Sequence, residues 1–245
     1  MNRINILNTA IDNFSMEETL EKVVKAIERK EHLHHVVVNA GKMVSMQKDL
    51  QLRESVNNSH IINADGQAVV WASRFLGKPL KERVAGIDLM ENLVDSAGKH
   101  HHKIFFFGAK ENIVKNVVKL YSEKYGADIV AGYRNGYFKK EDEKKIAKQI
   151  ADSGAQILFV AMSSPKKENF LFDNRAVLAK VNFIMGVGGS FDVVAGKVKR
   201  APLFMQKVGL EWFYRFIQEP KRMWKRYLIG NTKFIIMVFR ERFKF

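Results

Sequence analysis

The chain has 245 residues, 47% of them hydrophobic, which is enough to bury one full core, so we expect one main domain with at most a small appendage. It contains no cysteine, which excludes disulfide scaffolds, cysteine-ligated zinc sites and thiol nucleophiles and is compatible with a reducing compartment. The first residues lack the charged segment and apolar run of a signal peptide, so we expect the protein to lie inside the cell.

The formal net charge is +15, and most of it lies at the end of the chain. Between Lys197 and Phe245 there are 13 Lys/Arg and 3 Asp/Glu, so ten of the fifteen net positive charges fall in this last fifth. Such an excess predicts an anionic partner or surface. The longest apolar run there, Phe234–Phe239, is far shorter than the roughly 20 residues that span a bilayer, so we expect the segment to lie on a membrane without crossing it.

Apolar runs that predict strands alternate with segments of helical spacing through most of the chain. A capping box at Ser15–Glu18 begins the first predicted helix, and amphipathic helices follow at 113–121 and 139–150. The alternation predicts an α/β fold, a Rossmann-like, mainly parallel sheet flanked by helices, with ligands at the carboxyl ends of the strands. The predicted strands are Ile4–Leu7, His35–Val38, His60–Asn63, Ile104–Gly108, Ile129–Ala131, Ile157–Ala161 and Phe183–Gly186.

The alternation stops near Arg200-Ala201-Pro202. We predict a Rossmann-like core over residues 1–200 and a basic, amphipathic helical appendage over 201–245 that binds the membrane. Pro220 should divide the appendage into two helices, because proline is tolerated only in the first turn of a helix. Aromatic residues alternate with cations in this segment, a pattern that suits a membrane-surface helix and also a helical lid packed on the core.

The first candidate for chemistry is Asp65, in the segment Asn63-Ala64-Asp65-Gly66 between a predicted strand and a predicted helix. At that edge of the sheet a carboxylate can take a proton from a substrate hydroxyl as a general base. An aspartate between a strand and a helix also often does no more than cap the helix. Position alone therefore leaves both interpretations open.

Glycine-rich turns follow two other predicted strands and could bring a phosphate or sugar close to the backbone. Gly108 and Ala109 form the weaker candidate, because the turn lacks a full G-x-G-x-x-G pattern and is equally typical of a simple tight turn. The stronger candidate is the loop 186–192, where bare backbone N–H groups could hold a diphosphate and a polar side chain could bond a base or ribose. Its candidate residues are Gly188, Gly189, Ser190 and Asp192.

Tyr137 lies in the segment Gly132–Phe138, which could place an aromatic ring against a nucleobase or could simply be a turn with packed aromatic side chains. The chain has no Asp-x-Asp pair, so we predict no catalytic metal and expect arginine, lysine and backbone dipoles to neutralise a leaving diphosphate. The cations that the appendage offers are Arg215, Lys221, Arg222, Lys225 and Arg226. The histidines at 32, 34, 35 and 100–102 are predicted to be solvated turn residues and not metal ligands.

These segments resemble the WecG/TagA/CpsF family of bacterial glycosyltransferases over nearly the whole chain. The strongest stretch runs from Gly186 to Leu228, and shorter ones are VNA from Val38, INADG from Ile62, ERVAGIDLM from Glu82, FFGA from Phe106 and GYRNGYF from Gly132. The resemblance implies an inverting, metal-independent transferase without a cofactor. It typically moves N-acetylmannosamine from its UDP donor to N-acetylglucosaminyl-diphospho-undecaprenol on the inner face of the cell membrane, which in some members makes the linkage unit of wall teichoic acid.

The resemblance also implies roles for individual residues. Asp65 would be the general base, with Arg83 and Asn39 in supporting roles, and Arg215 and Arg222 would reach the donor diphosphate when the appendage closes.

Two positions depart from the family pattern. Val37 stands where threonine is frequent and Lys167 where glutamine is common, so the sugar or acceptor preference could differ. N-acetylmannosaminuronic acid and glucose therefore stay open as donor sugars.

Other classes of function also stay open at this point. A nucleotide-sugar sensor is one, and a basic nucleic-acid-binding module is another. The cations are interleaved with bulky apolar residues and no recognition motif is present, which argues against nucleic acid as the partner. Exposed apolar surface on the core could meet either the appendage or a second subunit, so a homo-oligomer stays open.

Overall fold

The computed structural model describes residues 3–243, apart from the side chains at positions 222, 223 and 225–227. The strands in that part of the chain are β1 (Arg3–Ile6), β2 (Thr9–Asp12), β3 (Leu33–Val38), β4 (Ile61–Ala64), β5 (Ile104–Gly108), β6 (Val130–Arg134), β7 (Ile157–Ala161) and β8 (Phe183–Gly186). The helices are α1 (Met16–Glu28), α2 (Ala40–Met46), α3 (Leu50–Asn57), α4 (Gln67–Phe75), α5 (Gly86–His100), α6 (Glu111–Tyr125), α7 (Glu143–Ala151), α8 (Lys166–Asp173), α9 (Arg175–Leu178), α10 (Ser190–Val194), α11 (Leu203–Lys207), α12 (Glu211–Gln218) and α13 (Pro220–Phe243). Short 3-10 turns cover Ala127–Ile129 and Lys140–Asp142.

Six of these strands form one parallel sheet in the order β4-β3-β8-β7-β5-β6, with helices on both faces. The predicted α/β fold is therefore confirmed. Strands β5, β7 and β8 have the predicted bounds, because each is an apolar run that is buried on both faces. Strand β6 lies at the edge and starts one residue later than predicted, since Ala127–Ile129 forms a 3-10 turn before it.

The sheet separates apolar layers, and the run of phenylalanines in β5 shows how. Phe106 points into one layer with Phe159 and Phe191, whereas Phe105 and Phe107 point into the layer on the other side. Successive side chains of a strand point to opposite faces of the sheet, so a continuous apolar run packs into the layers on both sides.

A strand that the sequence did not predict, β2, pairs antiparallel with β1 to form a hairpin. Its turn places Leu7 and Asn8 at φ angles of 49° and 60°, which suits a tight hairpin turn. The Asp12 carboxylate joins the hairpin to the sheet, because it accepts hydrogen bonds from Arg3 Nε at 3.0 Å and from the Ile62 amide at 2.8 Å. The hairpin thereby covers the outer edge of β4, whose residues are all buried.

The capping box and the division at Pro220 are both observed. Ser15 and Glu18 exchange the two bonds of the box, and Pro220 begins α13 after α12 ends at Gln218. Helix α13 returns to the core, where Phe234 and Val238 are buried in the apolar cluster that contains α2.

The prediction of solvated turn residues was wrong for His34 and His35, which both lie in strand β3. Strand β3 begins at Leu33, so His35 lies inside the sheet with no exposed surface. Its Nε2 lies 2.9 Å from Oδ1 of Asn63 in the neighbouring strand. Burial lowers the pKa of His35 to about 4 despite that hydrogen bond, so the ring is neutral and structural at ordinary pH.

Candidate active site at the carboxyl edge of the sheet

Asp65 follows the last residue of β4 and lies at the carboxyl edge of the sheet. Its amide donates to the Val38 carbonyl at 2.9 Å, and its Oδ1 accepts the amide N–H of Gly86 at 2.9 Å. Gly86 is the first residue of α5, whereas the N-cap of the adjacent α4 is Gly66, which makes no side-chain cap bond. The carboxylate therefore does not cap the helix that follows it. It is fixed through one oxygen to another helix, and among the described residues no donor is bonded to Oδ2.

Asn39 lies beside Asp65, because β3 and β4 pair in the register Val38 with Ala64. Its side-chain oxygen accepts the Lys42 amide at 3.0 Å and so caps α2. The two strand ends are in close contact, since a Cβ on Gly66 would lie 3.2 Å from Cβ of Asn39. In the described part of the chain no hydrogen bond from the Asn39 amide nitrogen is observed, so its N–H groups remain available as donors.

Arg83 lies just before α5 and contacts the segment after residue 200. Its Nη1 lies 3.0 Å from Oε2 of Glu211, the first residue of α12, and both side chains are partly buried. Glu211 Oε1 also lies 4.0 Å from Arg200 Nε, and Arg200 pairs with Asp88 in α5. Charges of alternating sign thus link α5 to α12 beside the catalytic candidate.

The glycine-rich loop after β8 is covered by Arg215 of α12. A Cβ on Gly189 would lie 2.7 Å from Arg215 Nη2, so the guanidinium rests directly on the loop. Gly188 has a φ of +55°, a conformation that glycine adopts without strain. Arg215 and Gly189 are 26 positions apart in sequence, and the fold brings these two candidate residues together.

Two polar side chains of that loop already have partners close in sequence. The Ser190 hydroxyl is buried and donates to the Val187 carbonyl at 2.8 Å, which closes the turn into α10. Asp192 pairs with Lys197 at 3.0 Å. Neither side chain points freely toward a ligand, so backbone N–H groups and Arg215 are the better donors here.

The turn after β5 brings together two further predicted segments. The Ala109 amide donates to the Ala161 carbonyl at 2.8 Å, and Gly108 approaches Ala161 so closely that a Cβ would lie 2.4 Å from that oxygen. Gly136 closes over the same turn through a bond from its amide to the Ala109 carbonyl at 2.9 Å. The next residue, Tyr137, is 68% exposed, so its ring is open to a ligand at the β5 end of the edge.

A buried ionic cluster lies beneath the same edge, and the sequence did not predict it. Glu168 Oε1 lies 2.8 Å from Lys42 Nζ and 2.6 Å from Lys167 Nζ, and all three side chains are at least nine-tenths buried. Burial alone would raise the pKa of Glu168, but the two lysines outweigh that effect and hold it at about 2. Lys42 lies 126 positions before Glu168, so no local pattern marks the cluster.

Some predicted features cannot be compared with the structure. Helix α13 carries Arg222 and Lys225 in its first turns, but their side chains lie outside the described residues.

Among the residues that are described, no group of three or more His, Cys, Asp or Glu could hold a metal ion. None of the helices in residues 3–243 combines the length and apolar character needed to cross a bilayer.

The appendage exposes a large apolar surface. Leu203 and Phe204 at the start of α11 are 73% and 67% exposed, and Trp212, Phe213 and Ile217 of α12 are exposed as well. Gly209, between these helices, has a φ of +77°, and a Cβ there would lie 2.6 Å from Gln67 Cγ in α4. The connection between the two helices therefore packs against the start of α4, two residues after Asp65, while apolar side chains of both helices remain exposed.

Comparison with known proteins agrees with the motifs. Residues 4–245 match the model of the glycosyl transferase WecG/TagA/CpsF family. The chain is 40% identical over 194 residues to a Bacillus subtilis (strain 168) protein, N-acetylglucosaminyldiphosphoundecaprenol N-acetyl-beta-D-mannosaminyltransferase. That match covers 79% of this chain and 74% of the relative.

Proposed function

Because the chain belongs to the WecG/TagA/CpsF family of glycosyltransferases, we propose that it transfers N-acetylmannosamine from UDP-N-acetylmannosamine to N-acetylglucosaminyl-diphospho-undecaprenol. The name of the Bacillus relative supports this acceptor and this sugar. The proposed reaction inverts the anomeric carbon and uses no metal. The observation that carries the assignment is the Asp65 carboxylate, which is fixed by Gly86 and open on its second oxygen.

In the proposed mechanism, Asp65 Oδ2 takes the proton of the acceptor hydroxyl while that oxygen attacks the anomeric carbon of the donor. The new bond forms as the bond to the diphosphate oxygen breaks, so the electron pair leaves with UDP and the proton stays on Asp65. A positioned base of this kind contributes roughly 10² to 10⁴ in rate. The Gly86 N–H holds the carboxylate in place, so little reorganisation is needed during the reaction.

Neutralisation of the leaving diphosphate falls to the glycine-rich loop and Arg215. The contact between Arg215 and Gly189 supports this role, since an arginine fork can bond two phosphate oxygens at once. Arg83 and Glu211 support closure of α12 over the donor, because their ion pair joins the loop before α5 to the appendage. We assign the appendage, residues 201–245, to both tasks, membrane binding and closure.

The membrane role rests on charge and exposed apolar surface in the same segment. Each Lys or Arg near anionic lipid contributes roughly 1 kcal/mol, and exposed aromatic side chains favour the headgroup region. Leu203 offers a point test, with Leu50 as a matched control, because each is the first residue of a helix and they are 73% and 69% exposed. Leu203→Asp should weaken binding to anionic vesicles, and Leu50→Asp should not.

One experiment tests the chemistry directly. The enzyme is incubated with a panel of UDP-sugars and a short-chain lipid-diphosphate-N-acetylglucosamine acceptor, and the product is weighed by mass spectrometry. Addition of one N-acetylhexosamine from UDP-N-acetylmannosamine is the expected result. No transfer from any UDP-sugar, together with retention on duplex DNA in preference to anionic vesicles at matched salt, would contradict the proposal and favour a nucleic-acid-binding role.

A further inference from the structure

Gln218, the last residue of α12, bonds both backbone polar groups of Lys199. Its Nε2 donates to the Lys199 carbonyl at 3.0 Å, and its Oε1 accepts the Lys199 amide N–H at 3.2 Å. Residues of neighbouring antiparallel strands exchange bonds in the same pattern, and a side-chain amide can form it because it carries a donor and an acceptor side by side. The two bonds tie the end of α12 to the segment that precedes the appendage.

That segment is itself fixed to the glycine-rich loop. The amide N–H groups of Lys197 and Val198 both donate to the Asp192 carbonyl, at 2.9 Å and 3.0 Å. Asp192 lies in α10, the helix that directly follows Gly189 of the loop. Lys199 therefore has a defined position relative to the loop, and Gln218 passes that position on to α12.

Helix α12 needs such contacts to keep its place. It has eight residues, each of which keeps some exposed surface, and helices shorter than about 12 residues are marginal in water on their own. Glu211 holds its start through the ion pair with Arg83, and Gln218 holds its end. Arg215 lies between them, and positions 211, 215 and 218 have the i, i+4, i+7 spacing of a single helix face.

We propose that Gln218 is a positioning residue for donor binding, which through Lys199 holds Arg215 over the glycine-rich loop. The inference rests on the proposed function, in which Arg215 bonds the donor diphosphate. Arg215 Nε lies 3.8 Å from Glu219 Oε2, and Nη2 is the guanidinium atom nearest to the space beside Gly189. A displacement of the last turn of α12 would move Nη2 away from that loop.

The expected effect is selective for the diphosphate. Gln218→Met keeps the length of the side chain and removes both hydrogen bonds, so UDP affinity should fall about fivefold, the equilibrium equivalent of one net hydrogen bond. Uridine affinity should stay the same, because uridine has no diphosphate. Gln218→Glu is a second variant that keeps an acceptor for the Lys199 amide but cannot donate to the Lys199 carbonyl, so it should weaken UDP binding as well.

The experiment measures binding of UDP and of uridine by calorimetry to the full-length wild type, to Gln218→Met, to Arg215→Met and to the double variant. If Gln218 acts through Arg215, the double variant should bind UDP as weakly as Arg215→Met alone. Gln156→Met is the matched control, because Gln156 also bonds a backbone amide, that of Lys103 at 2.7 Å, at the opposite edge of the sheet. Its UDP affinity should equal that of the wild type.

Several results would overturn the inference. UDP affinity of both Gln218 variants equal to that of the wild type is one, and equal weakening of UDP and uridine is another, since it would indicate a general structural effect. Losses that multiply in the double variant would show that Gln218 acts independently of Arg215. If the wild type binds UDP and transfers sugar, these results contradict this inference alone. A wild type that neither binds UDP nor transfers sugar contradicts the proposed function and this inference with it.

Discussion

Replacement of Asp65 by asparagine separates the chemical role of this side chain from its structural one. Asparagine has the same shape, and its Oδ1 can still accept the Gly86 amide that lies 2.9 Å from the aspartate oxygen. What it loses is the ability to take a proton at the second position. The start of α5 should therefore stay in place while the proposed base is removed.

The expected loss in turnover is roughly 10² to 10⁴, which corresponds to about 2.7–5.4 kcal/mol in activation free energy. Because the hydrogen bond to Gly86 survives, the free energy of unfolding should change little. Asp65→Ala provides the comparison: it removes the acceptor as well and leaves the Gly86 N–H without its partner, so it should also destabilise the fold by about 1–3 kcal/mol.

The assay measures transfer to a short-chain lipid-diphosphate acceptor at saturating donor, alongside urea unfolding of the same preparations. Two variants that are equally inactive but differ in unfolding free energy are the expected pattern. Activity of Asp65→Asn within a few-fold of the wild type would refute the assignment of Asp65 as the general base.

Three further predictions follow from particular contacts. Glu211→Gln removes the carboxylate that pairs with Arg83, so steady-state kinetics should show a donor KM higher by about fivefold, and Glu123→Gln, in an exposed pair on α6, should show no change. Glu168→Gln removes the buried carboxylate that pairs with Lys42 and Lys167 and should lower the unfolding free energy by about 3–5 kcal/mol at pH 7 in urea titrations. The pKa of Glu168 is about 2 in the folded protein, below its ordinary value of 4.5, so the carboxylate stabilises the fold fully above pH 4.5 and progressively less toward pH 2. The difference in unfolding free energy between wild type and Glu168→Gln should therefore become smaller in acid. A difference that does not change with pH would contradict the ion-pair explanation. Phe234→Ala in α13 should cost about 3–5 kcal/mol, whereas Phe204→Ala, at an exposed position, should cost less than about 0.5 kcal/mol; equal effects would show that α13 does not contribute to the core.

Because Phe234 of α13 is part of the core, deleting the whole appendage would not test membrane binding alone. A chain that ends at Arg200 would lose Phe234 and Val238 from the apolar cluster around α2, and also the bond from the Leu7 amide to Glu241. Loss of activity in such a truncation would mix unfolding with loss of membrane binding. Substitutions on the exposed surface of α11 keep the two effects apart.

The inner strands β5, β7 and β8 could be predicted from the sequence because they are buried on both faces. Runs such as Phe105–Phe107 have no polar position that would suit a solvated face, so their type and bounds are unambiguous. Strand β2 was missed because it is short and ends in Asp12, and because its turn uses Leu7, a residue that rarely adopts a positive φ. His35 was misjudged because burial depends on strand register and not on the local run of histidines.

The candidate site was predictable only in part, for a related reason. The position of Asp65 follows from the order of strand, turn and helix, which is local. Its partner Gly86 lies 21 positions later, and Lys42 and Glu168 are 126 positions apart. In a linear sequence Lys42 looks like a surface residue, since burial of a lysine depends on a partner that only the fold supplies.

The arrangement of α11 and α12 gives a physical reason why membrane binding and donor binding would be coupled. Only positions 208–210 separate the two helices, and Gly209 lies against Gln67 of α4, two residues after Asp65. We expect a shift of α11 on binding lipid to be passed to α12, since only three residues connect the two helices. Helix α12 carries both Glu211, which pairs with Arg83, and Arg215, which rests on Gly189. In the proposed reaction, the same movement that seats the protein at its lipid acceptor would set the cations around the donor diphosphate.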